Sequence, residues 1–417
     1  VAVCEEVGEW AAGLRADDLP ASVRERAELQ ALSIAAGRAA GEEAAAPFAT
    51  AAPGGPVGEV YRSAVASIAH DWDDYLFMGH TGHSAVPAAA AFAGGDPGRE
   101  LLARVAANEV AGRLGAALFF GPHNGQFWAS IHCASAAVAA AIGLGLDAER
   151  TAHALAIALY QPPYGMWPGF MGPKSKLLTA AEPAALGARA GLLAAEGVTG
   201  ALDVIEHPRG VLAALSFAPQ PGMLDGLGEV WLTDTLAYKR LPGCAYLQSV
   251  GEAALAAGVE AGEIDAIEIE AGWLTCEMEE LGAGPDLSAV RVNFSATLTA
   301  AIALIAGRFT PAELAPEWLA ERETEIRDLA GRARVVHDPS LTARTLRGSI
   351  EAGASPALGL GDLLRIRRRL GAPAWRAPIP HPPCWGPCAP TRPCAAPWRG
   401  RCVRVSVAVS SRDPPGR

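Results

Sequence analysis

From Ala134 to Leu146 the chain reads Ala-Ser-Ala-Ala-Val-Ala-Ala-Ala-Ile-Gly-Leu-Gly-Leu, thirteen residues without a charge and nearly all small. Alanine is the best helix former, and so small a side chain lets neighbours approach from every side. The run is short of the roughly 20 apolar residues that span a bilayer. It therefore predicts an inner helix, Ser130 to Ile142, in a body of closely packed helices.

The flanking sequence supplies those neighbours. Glu6 to Leu14 is amphipathic, Asp17-Asp18-Leu19-Pro20 breaks the pattern, and Ala21 or Ser22 starts a second helix to about Ala40. Leu101 to Leu114 is another helix, and Asp147 is a good N-cap for Ala148 to Tyr160. Pro183 suits the first turn of a helix that reaches about Glu196, and helix is expected throughout up to about Tyr238. The Pro/Gly stretch Ala51 to Gly58 follows no strand and lacks a G-x-G-x-x-G, so it is not a phosphate loop. Between Pro162 and Pro173 lies a long irregular loop with Trp167 and Phe170, a kind of segment that often serves function.

After Lys239-Arg240-Leu241-Pro242-Gly243-Cys244 the texture changes. A helix at Tyr246 to Ala257, alternation at Ile267 to Glu270, helices at Asn293 to Ile305 and Glu317 to Gly331, and a short strand at Ala333 to His337 indicate a mixed region. The predicted class is mainly α: an all-helical domain over residues 1–242 and a smaller α+β domain over 243–370, with Lys239 at the seam. Residues 371–417 hold eleven of the 32 prolines and four of the eight cysteines, with seven Arg, no Lys and one Asp, a texture unlike the rest. This tail is expected to be largely disordered or aberrant, and only Val403 to Val409 has a strand period.

Against this apolar background one stretch stands out. His70, Asp71, Asp73, Asp74, His80 and His83 put three carboxylates and three imidazoles within fourteen positions of a chain that is only 19% charged. A helix over 68–77 would place Asp71, Asp74 and Tyr75 on one face and turn Asp73 away. Gly79 and Gly82 would break that helix, and Ser84-Ala85-Val86-Pro87 would open the next, its N-terminus beside two histidines favouring an anion. The ordinary alternative is a helix end whose aspartates cap backbone N–H groups and whose histidines are merely exposed.

Charge and cysteine usage narrow the function classes. The net charge is −11, and with the basic tail set aside the body is more acidic still, which argues against nucleic acid or an anionic membrane as partner. No secretory signal is visible, so a cytoplasmic location is expected. Cys4, Cys133, Cys244 and Cys276 are far apart, as buried thiols are in a reducing compartment. Cys384, Cys388, Cys394 and Cys402 lack paired C-x-x-C spacing, and no cysteine triplet suits an iron–sulfur cluster. A magnesium-diphosphate site of the terpene-synthase kind would fit the aspartates, but a second metal motif downstream is missing.

Six segments, in order, carry a family resemblance. They are Asp71-Trp72-Asp73-Asp74-Tyr75 with His83-Ser84-Ala85-Val86-Pro87; Asn108-Glu109-Val110 with Arg113-Leu114-Gly115; His132; Gly143-Leu144-Gly145-Leu146-Asp147; Lys176 with Ala184-Ala185 and Gly187; and Lys239 to Cys244. Over roughly residues 5 to 345 the chain resembles the MmgE/PrpD superfamily, which includes 2-methylcitrate dehydratases, cis-aconitate decarboxylases and an iminodisuccinate epimerase. The resemblance implies a large helical domain with a smaller lid, a homodimer, and a cleft that takes a di- or tricarboxylate without metal or organic cofactor. Eliminating water or carbon dioxide from such an acid needs proton transfer near the α-carbon and cations to hold the carboxylates.

The implied assignments follow. His83 would transfer the proton, oriented by Asp71, while Lys176 and Lys239 would clamp carboxylates. His132 would be a second proton carrier or a carboxylate ligand, a reading that competes with a satisfied core histidine. Tyr75, His80 and Thr81 would line the pocket, and His153, His207 and His337 read as structural. The chain departs from its relatives at Ser84, where they carry proline, at Leu298, where they carry a site tyrosine, and around Cys244, which lacks a nearby histidine. Dehydration of a 2-methylcitrate-like acid is the expected reaction, with decarboxylation, epimerisation or a catalytically degenerate relative as the alternatives.

Overall fold

The computed structural model describes residues 1–77, 79–120, 124–351, 361 and 402–406, with the backbone alone described at 124–128, 167, 345, 346, 348–351 and 402–406. The described residues divide into two compact units, one of residues 1–239 and one of residues 240–351 with 402–406. Both are built mainly of helices.

In the first unit the helices are α1 (Val3–Gly13), α2 (Ala21–Ala45), α3 (Gly55–Ile68), α4 (Gly82–Phe92), α5 (Pro97–Ala117), α6 (Asn124–Leu144), α7 (Ala148–Tyr160), α8 (Trp167–Phe170), α9 (Leu178–Ala195) and α10 (Val211–Leu215). The alanine run forms the centre of α6, which α4, α5, α7 and α9 surround. Ala134, Ala136, Ala137, Ala139, Ala140 and Ala141 are all fully buried. Close approach is the gain from small residues: a Cβ on Gly187 of α9 would lie 2.2 Å from the Cys133 carbonyl oxygen, and one on Gly191 would lie 2.7 Å from Ala140 Cβ.

Two helical expectations need correction. Pro183 is not in a first turn, because the 3₁₀ turn Lys174–Leu177 runs directly into α9 and leaves the proline inside the helix. Nor is the chain helical up to Tyr238: between α9 and that point the only α-helix is five residues long, and the segment ends in a strand. That strand, β2 (Ala237–Tyr238), pairs antiparallel with β1 (Asp74–Tyr75), Asp74 opposite Tyr238 and Tyr75 opposite Ala237.

The ribbon is pinned from the helical body. The buried Glu109 carboxylate of α5 accepts from the backbone N–H groups of Leu232 (2.9 Å) and Thr233 (2.8 Å) and from the Thr233 hydroxyl (2.7 Å). Arg113, one turn on, donates to the carbonyls of Gly226 and Val230. Together they fix the turn that leads into β2 and therefore the position of Lys239.

The second unit comprises α11 (Gln248–Ala256), β3 (Ala266–Ala271), α12 (Trp273–Gly282), α13 (Ala289–Val292), α14 (Ala296–Ala306), α15 (Pro316–Glu321), α16 (Glu323–Gly331), β4 (Ala333–His337), α17 (Pro339–Glu351) and β5 (Cys402–Ser406). Its strands form one parallel sheet in the order β4-β3-β5. The strand period expected at 403–409 is thus a strand at Cys402–Ser406, and the rest of the 371–417 tail lies outside the described residues. Among the described residues no helix is long and apolar enough to cross a membrane.

The tight α6–α9 seam makes a quantitative prediction. Gly187→Ala should destabilise the protein by about 1–3 kcal/mol through overpacking. Gly13→Ala, whose Cβ would meet nothing within 4 Å, should change stability by less than about 1 kcal/mol. Urea unfolding of the two variants beside the parent checks both values.

Candidate active site

Helix α3 stops at Ile68, and Asp71 follows with φ 51°, the one positive φ of a non-glycine residue among those described. Aspartate tolerates this left-handed conformation better than most residues. The expected helix over 68–77 is therefore replaced by a turn and a short extended segment. Along extended chain, residues two apart face the same way. Asp71 and Asp73 accordingly reach one cluster, while Asp74 turns to Gln30 and to the first N–H of α4, at Gly82. The expected sharing of a face by Asp71, Asp74 and Tyr75 is wrong for this reason, and the anion at the α4 N-terminus is the chain's own Asp74.

Two lysines far apart in sequence meet this turn. Lys176, buried in the 3₁₀ turn before α9, places Nζ 2.6 Å from Asp71 Oδ1 and 3.3 Å from the Ile68 carbonyl oxygen. Lys239 continues the ribbon, its backbone N–H donating to the Asp73 carbonyl at 3.0 Å. Its Nζ lies 2.5 Å from Asp73 Oδ1 and donates to the Asp71 carbonyl at 2.8 Å. Trp72 Nε1 donates to the Lys239 carbonyl and locks the junction.

The imidazoles complete the cluster. His83 lies in the first turn of α4, with Nε2 3.1 Å from Asp73 Oδ2 and Nδ1 2.8 Å from Ser67 Oγ of α3. His80 places Nδ1 2.8 Å from the same Asp73 oxygen and packs against Tyr75, ring edge to ring face, with centroids 5.0 Å apart. His132 of α6 places Nδ1 2.9 Å from Ser84 Oγ, and its ring centroid is 6.3 Å from that of His83. His83 is thus oriented by Asp73 and Ser67, where the sequence pointed to Asp71, whose carboxylate is engaged by Lys176.

Thr81 departs from its expected place at a pocket wall. It is fully buried, and its hydroxyl donates to Asn108 Oδ1 at 2.6 Å in a network with Gln30. Tyr75 is 39% exposed on β1. His153 accepts from the Gly200 N–H, and His337 contacts Thr342 Oγ1.

The electrostatics follow from burial against pairing. Burial pushes the Asp71 carboxyl up, but Lys176 and then Lys239 outweigh it and hold it at about 2. Burial likewise opposes ionisation of Asp73, and Lys239, His80 and His83 overcome it, keeping the carboxyl well below its ordinary range. Asp74, buried beside ionised Asp73 without a cation of its own, is raised. His132 is pushed well below the usual imidazole value by burial and then by His83, so the ring is neutral at pH 7. Because Asp73 is ionised and only accepts, the nitrogens of His80 and His83 that face it are N–H groups.

Asp73, Ser67 and Ser84 were missed as site residues. The Asp71-x-Asp73 spacing would have found the first had the segment been read as extended. Ser67, inside an amphipathic helix, carries no sequence signal. Among the described residues no group of three or more His, Cys, Asp or Glu side chains is arranged to hold a metal ion.

A profile described as the MmgE/PrpD N-terminal domain matches residues 31–223. This match supports membership of the MmgE/PrpD superfamily. Asp71, Asp73, His80, His83, His132 and Lys176 lie inside the matched MmgE/PrpD domain, and Lys239 lies beyond it. Members of that family are generally lyases, so the domain match supports a lyase, dehydratase-like function at the family level. No curated protein matches the chain.

The ion pairs generate a pH prediction. The Asp71 and Asp73 carboxyls are depressed, so their stabilising contribution is complete above the ordinary carboxylate value of about 4 and is lost as pH falls through the folded value. Lys176→Met leaves Asp71 buried without its nearest cation and should cost about 3–5 kcal/mol at neutral pH. The deficit should shrink at pH 4, where the orphaned carboxyl can take a proton, and urea titrations of parent and variant at the two pH values measure it.

Proposed function

We propose that Asp71, Asp73, His83, His132, Lys176 and Lys239 form the reaction centre of a cofactor-independent lyase that acts on a small di- or tricarboxylic acid, with dehydration of a 2-methylcitrate-like acid as its reaction. The observation that carries this reading is the pairing of a neutral imidazole, His132, with a second imidazole, His83, whose centroid is 6.3 Å away, beside two buried ammonium groups.

Dehydration of a β-hydroxy acid removes a proton from the carbon next to a carboxylate and expels hydroxide from the neighbouring carbon. Neutral His132 is suited to accept the carbon-bound proton. The Nε2–H of His83, backed by ionised Asp73, is suited to deliver a proton to the departing oxygen, so that water leaves and the C–C double bond forms. Lys176 and Lys239 would draw negative charge toward the substrate carboxylates, including the charge that develops when the α-proton is removed. Asp71 and Asp73 hold the ammonium groups in place in the absence of substrate. His80, which shares Asp73 Oδ2 with His83, and Tyr75 would border the substrate.

The test is a thermal-shift screen with citrate, 2-methylcitrate and cis-aconitate, followed by proton NMR of each stabilising acid for loss of water, loss of carbon dioxide or inversion. Water loss that continues in the presence of a chelator is the expected result. His83→Gln and His132→Gln should each lower kcat by about 10²–10⁴ while cooperative unfolding is retained. Full turnover in both variants would remove the proposed centre.

A further inference from the structure

The residue after His83 is a serine where the family resemblance places a proline, and the fold gives that hydroxyl a partner no proline could serve. Ser84 Oγ is fully buried, lies 3.1 Å from the Thr81 carbonyl oxygen one turn back, and lies 2.9 Å from His132 Nδ1. A hydroxyl has one hydrogen to give. With that hydrogen directed to the Thr81 carbonyl, the oxygen is left with lone pairs only and must accept from His132. The accepted hydrogen is then the Nδ1–H of the imidazole, and in a neutral ring the lone pair falls on Nε2.

We infer that Ser84 is a positioning residue that fixes His132 in the Nδ1–H form, so that Nε2 is the atom that takes the substrate proton. The inference rests on the lyase reading for its catalytic consequence, though not for the tautomer itself. A further observation supports it. Among the described residues His132 makes its one hydrogen bond through Nδ1, which leaves Nε2 for another partner. Burial and the neighbouring His83 keep the His132 ring neutral, the only state in which a tautomer choice exists.

The tautomer can be read without substrate. In full-length protein labelled with ¹⁵N-histidine, the His132 signals, identified by their disappearance in His132→Gln, should report a neutral ring protonated at Nδ1. Ser84→Ala should move that ring toward the Nε2–H form, and Ser84→Thr, which keeps the hydroxyl, should restore the parent pattern. The His153 signals, from an imidazole bound to the Gly200 N–H, serve as the folding control. A parent ring protonated at Nε2, or a Ser84→Ala ring unchanged from the parent, would overturn the inference. The parent spectrum decides even if Ser84→Ala fails to fold.

For any acid among citrate, 2-methylcitrate and cis-aconitate that is turned over, Ser84→Ala should lower kcat about tenfold, the cost of roughly one hydrogen bond, with KM within about twofold and recovery in Ser84→Thr. An unchanged kcat would count against the positioning role. Failure of all three acids to react would count against the lyase reading and would leave the tautomer result standing.

Discussion

Two buried aspartates that share two buried lysines are the constraint on which the first unit depends. Asp71, Asp73, Lys176 and Lys239 are each at most 8% exposed, so every one of these charges has lost most of its water. Desolvation of that kind costs several kcal/mol per ion and is recovered only when opposite charges and hydrogen bonds are held at short range. Here they are: the two ammonium–carboxylate distances are 2.6 and 2.5 Å, and each ammonium also meets a backbone carbonyl. A hydrophobic replacement would give comparable stability at less risk, so a cluster of this size points to chemistry more than to folding.

Holding four charges together requires a scaffold that cannot relax away from them. The turn at Asp71 is fixed by its left-handed backbone, and the Lys239 end of the ribbon is fixed by Glu109 and Arg113 of α5. Lys176 is carried by a 3₁₀ turn continuous with α9, which sits on α6 at the distance that only glycine at 187 permits. His132 projects from that same α6. The tight alanine–glycine packing and the placement of the imidazole are therefore linked, and loosening the seam would move His132 as well as weaken the core.

The polar residues around the cluster divide into two sets that the sequence does not separate. Gln30, Asp74, Thr81 and Asn108 hydrogen-bond to one another. Asp71, Asp73, His80, His83, His132, Lys176 and Lys239 form the other set, with Ser67 and Ser84 against two of the rings. Adjacent residues such as Asp73 and Asp74 fall in different sets because extended chain alternates its side chains. Their proton affinities diverge accordingly, one held down by cations and the other raised by burial beside its neighbour's charge.

What the sequence determined by itself was local or periodic. Alanine content made α6 an inner helix, Asp147 capped α7, alternation marked β3 and β4, and the density of Asp and His between positions 70 and 83 marked the buried charged cluster. What it could not determine was which aspartate meets which cation. That depends on a single backbone torsion at Asp71, on a two-residue ribbon whose strands are more than 160 positions apart, and on serine hydroxyls in helices where serine is unremarked. Only the tertiary structure decided these, because pairing energy between buried charges depends on distance and angle, and neither is written in the order of residues along one strand of chain.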